Sequence, residues 1–285
     1  MSVLTIGEVV VDWFSLGHGE NLFEASPFAC KVGGNATNVA VGLSRLGLSC
    51  RVLGKVGQDR SGLYLKQKIE QEGVDTSFIK VEAGLNTGHC YIYFGQNFDN
   101  NSDEPTYSEW PRPHAAQSLT PEDISEDAFS GIKLVHLTGI SLKDEPRCFA
   151  VQKAAQMAKQ KNLIFSFDSS CPVFYQTEKL ARYAELMHLA DIIKVNNFEL
   201  GQWTNSTPQT IEEIKAKAQE LMEVYKSVCL IVTLGSQGSL LCTKNGALYL
   251  PPISMNTPRR NSIGAGDAFM AGFIHGLLTR IPEGH

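Results

Sequence analysis

Short runs rich in β-branched residues alternate along this chain with longer amphipathic stretches, and this alternation constrains its fold most. The strand-like runs are residues 3–11, 50–56, 134–137, 163–167, 192–195 and 229–233. The helix-like stretches are residues 37–46, 63–71, 147–160, 178–188 and 211–225. Alternation of this kind is typical of βαβ units, whose strands pair in parallel. We therefore predict an α/β fold in which helices flank one mainly parallel sheet.

Two segments interrupt the alternation. Residues 23–32 and 87–113 carry strand-like patterns that Gly and Pro separate from the βαβ units. We predict that they form a small β-lid on a single domain spanning residues 1–285. Residues 283–285 are interpreted as the start of a vector-derived tail and are left out of the fold.

Charge and composition narrow the classes of function. The chain has a net charge of -5 and no dense Lys/Arg cluster, which argues against nucleic acid or a membrane surface as a partner. Its seven cysteines are scattered without a CxxC pair, so neither a zinc site nor a disulfide framework is indicated. No signal peptide and no apolar stretch of bilayer length is visible. We predict a cytoplasmic protein that acts on small molecules.

The strongest local signal is Gly264, Ala265 and Gly266, which lead with Asp267 into an apolar run. A helix that starts on a glycine turn presents unsatisfied N–H groups and its positive dipole end to an anion. An Asp in the first turn can take a proton from an attacking hydroxyl while the amides stabilise charge on a transferred phosphoryl group. A plain glycine turn with Asp as a helix cap explains these residues equally well.

A second glycine-rich segment, residues 33–38, also runs into a helix-like stretch. Its Gly34, Asn35 and Asn38 are polar or uncharged, which suits hydrogen bonds to the hydroxyls of a ligand. A strand-to-helix turn with an Asn cap is the competing interpretation. Asp59, which precedes the next helix-like stretch, is predicted to be a cap.

Together these motifs resemble the signatures of the ribokinase-like, or PfkB, carbohydrate kinase family. The segment GGNATNVAVGLSRLG (33–47) is similar to the family's first signature, and the segment NSIGAGDAFMAG (261–272) is similar to its second. Between them, NNFE (196–199) matches the family's NxxE element and TLGSQG (233–238) its TxGxxG loop. The four motifs occur in family order and span nearly the whole chain. The resemblance implies a three-layer α/β/α domain with a β-lid.

The resemblance also implies a reaction, the ATP-dependent phosphorylation of a hydroxyl on a sugar or sugar acid, of the fructose or 2-keto-3-deoxygluconate type. Asp267 is the expected base, and Gly264, Ala265 and Gly266 are the expected anion hole. The expected ATP-binding residues are Asn196, Thr233, Gly235 and Gly238, and Glu199 is the expected ligand of a hydrated Mg²⁺.

For the sugar, the resemblance points to Asp12, whose carboxylate can accept two hydroxyl hydrogen bonds, and to Gly34, Asn35 and Asn38. Arg112 in the predicted lid could meet a substrate carboxylate with two hydrogen bonds, and it could equally be solvated. Without the family, Asn196 and Glu199 would be read as a helix-start Asn and an exposed Glu. The resemblance also suggests that two lids pair in a homodimer.

Three features depart from the family pattern. Asn261 stands where the family usually has Asp, so a monovalent cation requirement is left open. Residues 167–172 read FDSSCP where many members have FDPNxR, which leaves Asp168 as either a ligand or a structural residue. Members normally continue well past the second signature, so part of the adenine pocket is expected to be missing.

Two other functions stay open on the sequence. A nucleoside kinase would need an aromatic clamp, to which Phe98, Trp110 and Phe174 could contribute. A catalytically silent sugar-binding or regulatory protein of the same fold would explain Asn261 and the lost Arg. The intact Asp267 turn counts against that second alternative.

Overall fold

The computed structural model describes residues 2–18, 22–24, 27–94, 106–170, 177–253 and 262–280. Its strands are β1 (Ser2–Ile6), β2 (Val10–His18), β3 (Phe28–Gly33), β4 (Ser49–Gly57), β5 (Ile79–Glu82), β6 (His89–Phe94), β7 (Thr106–Trp110), β8 (Ile132–Thr138), β9 (Ile164–Asp168), β10 (Ile192–Asn196), β11 (Cys229–Thr233), β12 (Ser239–Thr243) and β13 (Gly246–Leu250). Its α-helices are α1 (Asn35–Arg45), α2 (Arg60–Gln71), α3 (Arg147–Gln160), α4 (Thr177–Leu189), α5 (Asn197–Trp203), α6 (Ile211–Tyr225) and α7 (Ala265–Arg280).

The chain divides into two compact units, residues 1–119 with 259–285 (unit 1) and residues 120–258 (unit 2). In unit 1, β4 pairs in parallel with β1 and with β5. Helices α1 and α7 pack closely at Gly42, where a Cβ would lie only 2.8 Å from the Cβ of Ala271. Asp59 caps α2 as predicted, with its Oδ1 accepting from the Gly62 amide at 2.7 Å.

Unit 1 also carries a four-stranded sheet in the order β3-β2-β6-β7, which we call the lid sheet. Strand β2 pairs antiparallel with β3 and parallel with β6, and β6 pairs antiparallel with β7. Strands β6 and β7 fall within the predicted lid segment 87–113, and β3 overlaps the segment 23–32 and ends one residue beyond it. Residues 25, 26 and 95–105 of those segments lie outside the described residues.

The single strand predicted over residues 3–11 is wrong. The chain changes sheets within this run: the Gly7 amide donates to the Leu53 carbonyl at 3.1 Å, whereas the Val11 amide donates to Gly88 at 2.9 Å. Strand β1 therefore ends at Ile6 and β2 begins at Val10 in the lid sheet. The residues between are Gly7, Glu8 and Val9, and all three are buried although Glu8 carries a charge. The apolar runs on either side of them gave the pattern of one continuous strand.

Unit 2 contains the parallel strands β8, β9, β10 and β11 in that order, followed by antiparallel β12 and β13. The predicted bounds of α3, α6 and β11 match those observed, because their apolar periodicity is uninterrupted. Thr210 begins α6 with a capping box, in which its side chain accepts from the Glu213 amide and Glu213 reaches back. The interior is filled by fully buried apolar residues such as Phe165 and Phe167.

Candidate active site

Asp12 lies on β2 against the glycine pair that precedes α1. A Cβ added at Gly33 would lie 2.1 Å from the carboxyl carbon of Asp12, so only glycine leaves room for this side chain. Gly34 has a φ of 98°, and a Cβ there would lie 2.1 Å from the Glu8 carbonyl oxygen. The Thr37 hydroxyl donates to the same oxygen at 3.0 Å. The glycine pair thus lets the start of α1 pack directly against the chain around Asp12.

Asp267 occupies the first turn of α7, where the sequence predicted it. Gly264 precedes the helix with a φ of 74°, a conformation that glycine adopts readily. The Ala265 amide donates to the Ser262 carbonyl at 3.1 Å, and the first helical bond runs from the Ala268 amide to Gly264 at 2.9 Å. The Gly266 and Asp267 amides lie between these two and come before the first i→i−4 hydrogen bond of the helix, as an anion hole requires. The anion-hole role of Gly264, Ala265 and Gly266 stays a prediction.

The two glycine-rich motifs meet through one hydrogen bond. The Asn38 Nδ2 on α1 donates to the Asp267 Oδ2 on α7 at 2.8 Å, across 229 residues of sequence. Asp12, Asn38, Gly264 and Asp267 line one cavity of about 560 Å³. Unit 1 therefore places the expected base and the expected sugar-binding carboxylate around the same space. Gly34 and Asn35 begin the helix that carries Asn38.

Asp12 lies among other carboxyl groups. Burial, followed by the nearby negative charges of Glu8 and Asp267, raises the pKa of Asp12 to about 7. Glu8, Asp12 and Asp267 are all largely buried, so water screens the repulsion between their carboxylates only weakly. A sugar hydroxyl can donate to the ionised form of Asp12 and accept from the protonated form. Asp12 is therefore able to hold a polyol on either side of neutral pH.

This carboxyl cluster predicts a pH dependence of stability. Folded Asp12 keeps its proton up to about pH 7, while the unfolded chain releases it near 3.8. The folded state thus binds more protons between these values, and the free energy of unfolding falls as pH rises from about 4 to about 7, by at most about 1.4 kcal/mol per pH unit. Asp12→Asn lacks this contribution. The free energy of unfolding of both proteins can be measured by urea denaturation from pH 4.5 to 8. The value for Asp12→Asn should rise relative to that of the wild type up to about pH 7. A difference between the two proteins that does not change with pH would contradict the raised pKa of Asp12.

Gly33 offers a test of how Asp12 is positioned. In Gly33→Ala the new methyl group must displace the Asp12 carboxyl, since the two would lie 2.1 Å apart. We expect the KM of the sugar acceptor to rise by roughly tenfold, the loss of about 1.4 kcal/mol of hydrogen bonding. The control is Gly131→Ala, because nothing lies within 4 Å of a Cβ added there and any effect of its positive φ is on stability alone. An unchanged KM in Gly33→Ala would separate Asp12 from acceptor binding.

In unit 2, Asn196 and Glu199 form a capping box at the start of α5. The Asn196 side chain accepts from the Glu199 amide at 2.8 Å, and the Glu199 Oε2 accepts from the Asn196 amide at 2.8 Å. The helix-start reading of Asn196 is therefore observed, whereas Glu199 is 4% exposed and not the exposed Glu of that reading. Their roles toward ATP and Mg²⁺ stay predictions.

Residues 233–238 form a tight turn at the carboxyl end of β11. The Leu234 amide donates to the Gly238 carbonyl at 2.9 Å, and both Gly235 and Gly238 have positive φ. A Cβ at Gly238 would lie 2.2 Å from the Leu250 carbonyl oxygen. Thr233 ends the strand itself. Ligands of parallel α/β sheets bind beyond the carboxyl ends of strands, so this turn lies where a nucleotide site is expected.

Arg112 lies in the segment after β7. Its guanidinium forms an ion pair with Glu109 at 2.5 Å, and both side chains are partly exposed. Among the described residues that line the 560 Å³ cavity, Arg112 is not found. Trp110 instead borders a second cavity of about 290 Å³ with Asp59 and His89. Of the aromatic residues considered for a nucleoside clamp, Phe98 and Phe174 lie outside the described residues.

Sequence reasoning missed a buried polar cluster in unit 2. The Lys194 Nζ on β10 lies 3.0 Å from the Asp168 Oδ1 on β9, with the side chains 6% and 2% exposed. Next to this pair, His136 Nδ1 on β8 lies 3.1 Å from the Ser166 hydroxyl on β9. Burial lowers the pKa of His136 to about 4, against the raising effect of Asp168. A lysine inside the apolar run IIKVN was the available signal.

Comparison with known proteins identifies the family. The sequence matches the pfkB family carbohydrate kinases over residues 1–283. It is 26% identical to a 5-dehydro-2-deoxygluconokinase of Clostridium beijerinckii over 98% of this chain and 81% of the relative, and 26% identical to a probable fructokinase-4 of Arabidopsis thaliana over 95% and 81%.

Solved structures agree with this match. A crystal structure of an uncharacterized sugar kinase from Pyrococcus horikoshii, 27% identical, aligns with a TM-score of 0.81 over 98% of this chain and 84% of that one. A putative ribokinase II from E. coli, 21% identical, aligns with a TM-score of 0.84 over 99% and 87%. The predicted ribokinase-like α/β fold is thereby confirmed. The chain belongs to the pfkB family of carbohydrate kinases.

Proposed function

We propose that this protein transfers the terminal phosphoryl group of ATP to a hydroxyl of a sugar or sugar acid, of the fructose or 2-keto-3-deoxygluconate type. The observation that carries the proposal is the 2.8 Å hydrogen bond from Asn38 to Asp267 in a cavity that Asp12 also lines. In this bond the Asn38 side-chain amide orients the Asp267 carboxylate. The Asp12 carboxyl group is then placed to bind the hydroxyls of an acceptor. An acceptor alcohol and a general base are what this chemistry needs.

Each residue of the cavity has a distinct part in the proposed reaction. Asp12 binds acceptor hydroxyls, and Asn38 fixes the orientation of the Asp267 carboxylate. Asp267 takes the proton of the attacking hydroxyl as its oxygen bonds to phosphorus and the bond to the ADP oxygen breaks. The amides at the start of α7 stabilise the negative charge on the transferred group.

For ATP and Mg²⁺, the proposed residues lie in unit 2. Glu199 is a buried carboxylate at a helix start, which fits a Mg²⁺ ion that keeps most of its water. Among the described residues no cluster of three His, Cys, Asp or Glu side chains could hold a metal alone, so the proposed Mg²⁺ binds through phosphates and water. When bound, the ion neutralises phosphate charge. The Thr233, Gly235 and Gly238 turn and Asn196 are proposed to contact the nucleotide; Asn261, which bears on a monovalent cation, lies outside the described residues.

The test is ADP release from Mg²⁺-ATP with fructose, other hexoses, 2-keto-3-deoxygluconate, 5-dehydro-2-deoxygluconate and nucleosides. We expect ADP to form only when one of the sugars or sugar acids is present. Turnover with nucleosides alone would make the protein a nucleoside kinase. Sugar binding by calorimetry without any ADP release would favour the catalytically silent alternative.

Two further predictions concern the protein's setting. A homodimer through the lid is proposed because the lid exposes large residues, with Trp110 68% and Tyr107 58% exposed. Light scattering after size exclusion measures the mass of the assembly directly.

A cytoplasmic location is proposed from the scattered thiols, six of which are free in the described part of the chain. Among the described residues, no helix has both the length and the apolar character needed to cross a membrane.

A further inference from the structure

Asp12 and Lys31 lie directly opposite each other in the lid sheet, on the paired strands β2 and β3. Residues opposite one another in this way have Cβ atoms about 5 Å apart and project from the same face of the sheet. Both residues line the cavity of about 560 Å³ that Asp267 also lines. Because β3 is the edge strand of the sheet, its Cys30 and Val32 border the cavity as well. A lysine therefore lies beside the carboxyl group that is proposed to hold the acceptor.

The neighbours of Asp12 on β2 agree with this assignment of faces. Phe14, two residues further along the strand, also lines the cavity. Trp13 between them instead stacks on Tyr91, with ring centroids 6.0 Å apart and an interplanar angle of 11°. Side chains alternate between the two faces along a strand. The aromatic stack therefore occupies one face of the lid sheet, and Asp12 and Lys31 project from the face that borders the cavity.

Among the described residues that line the cavity, three are cations, and two of these have partners. The Arg45 Nε and Nη2 donate to the two carboxylate oxygens of Glu72, each at 2.7 Å. The Lys68 Nζ donates to the Gln71 Oε1 at 3.0 Å. The Arg45 hydrogen bond, with smaller effects from the charges of Arg45 and Lys68, holds the pKa of Glu72 below its usual range. Arg45 and Lys68 are therefore already engaged within the protein.

Lys31 is the third of these cations, and its charge is not balanced. Its side chain is exposed, and no residue in the described part of the chain forms an ion pair or hydrogen bond with its ammonium group. Burial, Glu8 and Asp267 raise the pKa of Asp12, and Lys31 has no part in that shift. An ammonium group in contact with the Asp12 carboxyl would lower its pKa. The two groups therefore lie apart and can contact different parts of one ligand.

An ammonium group without a counter-ion favours an anionic ligand in this cavity. A carboxylate that accepts from Lys31 forms a charge-assisted hydrogen bond, which is roughly twice as strong as a hydrogen bond between neutral groups. A hydroxyl in the same place gains only part of that energy. Asp12 keeps its proton up to about pH 7, so below that pH it adds no negative charge that would repel the carboxylate.

We propose that Lys31 binds the carboxylate of the acceptor and so makes a sugar acid a better acceptor than the corresponding neutral sugar. This inference rests on the proposed function, of whose two acceptor types it selects one. Lys31 is then a specificity-determining residue of the lid. Asp12 holds hydroxyls of the acceptor, Asp267 takes the proton of the reacting hydroxyl, and Lys31 holds the acidic end.

The test compares fructose with 2-ketogluconate, which has a carboxylate in place of the C1 hydroxymethyl group of fructose and is otherwise the same. We expect the wild type to have a kcat/KM about tenfold higher for 2-ketogluconate, which corresponds to about 1.4 kcal/mol. Lys31→Met removes the charge and keeps an unbranched side chain. It should therefore raise the KM of the acid and abolish the preference, with the kcat/KM of fructose unchanged. Lys31→Arg keeps the charge and should keep the preference.

Lys244→Met is the matched control, because Lys244 is an exposed lysine in the turn between β12 and β13 of unit 2. Its acid-to-neutral ratio should equal that of the wild type. Calorimetry of both acceptors without nucleotide keeps the two proposals apart. Absence of ADP with every sugar and sugar acid would defeat the proposed function, whereas the binding constants still decide the role of Lys31. A wild type that binds fructose more tightly, or a Lys31→Met variant that weakens both acceptors equally, would overturn the inference.

Discussion

Replacing Asp267 by Asn should lower kcat for sugar phosphorylation by about 10²- to 10⁴-fold, the usual contribution of a general base. Asn keeps the size of the side chain and can still accept the Asn38 hydrogen bond, so the acceptor pocket should keep its shape. It cannot take up the hydroxyl proton. The acceptor KM should therefore change far less than kcat, which steady-state ADP release will show.

Asp59→Asn is the matched control for this substitution. Asp59 is also an Asp at a helix start, where its Oδ1 accepts from the Gly62 amide at 2.7 Å, and it is not among the described residues lining the Asp267 cavity. Asn can still cap the helix, but its NH2 group cannot accept from the Thr87 amide, which donates to the Asp59 Oδ2 at 2.7 Å. The substitution should therefore lower stability by about 1 kcal/mol and leave kcat intact. Equal losses of kcat in the two variants would remove Asp267 from the role of base.

Replacing Lys194 by Met should lower the free energy of unfolding by about 3–5 kcal/mol, because it leaves a buried carboxylate without its cation. Asp168 and Lys194 are 2% and 5% exposed, on adjacent strands in the interior of unit 2. Asp168 Oδ1 keeps the Ser170 amide at 3.0 Å as a donor, which compensates the lost charge only in part. Urea denaturation followed by circular dichroism measures the change.

Lys161→Met supplies the comparison for Lys194→Met. It removes the same side chain from an ion pair with Glu126, whose carboxylate is 80% exposed, and such surface pairs contribute about 0–1 kcal/mol. Combining Asp168→Asn with Lys194→Met should recover part of the lost stability, since no buried charge then lacks a partner. If Lys194→Met costs no more than Lys161→Met, the buried pair has no special weight in the fold.

Much of the fold was predictable because its signals are local. The bounds of α3, α6 and β11 follow from apolar periodicity, and the Asp59 cap from the residue types around it. The boundary between β1 and β2 was not predicted, because the chain changes hydrogen-bonding partners over three residues between two apolar runs. The pairing of Asp168 with Lys194 was not predictable either, because it joins side chains of two strands across 26 residues of sequence.

The active-site candidates divide in the same way. The glycines, Asp12 and Asp267 could be named from motif and chain order, since their residue types already express the chemistry of a glycine turn and a carboxylate base. The Asn38 to Asp267 bond, the raised pKa of Asp12 and the pairing of β2 with β6 in the lid sheet depend on which strands and helices become neighbours. Such contacts join residues far apart in the chain, and their energies arise from packing, strand register and burial, none of which exists before the chain folds.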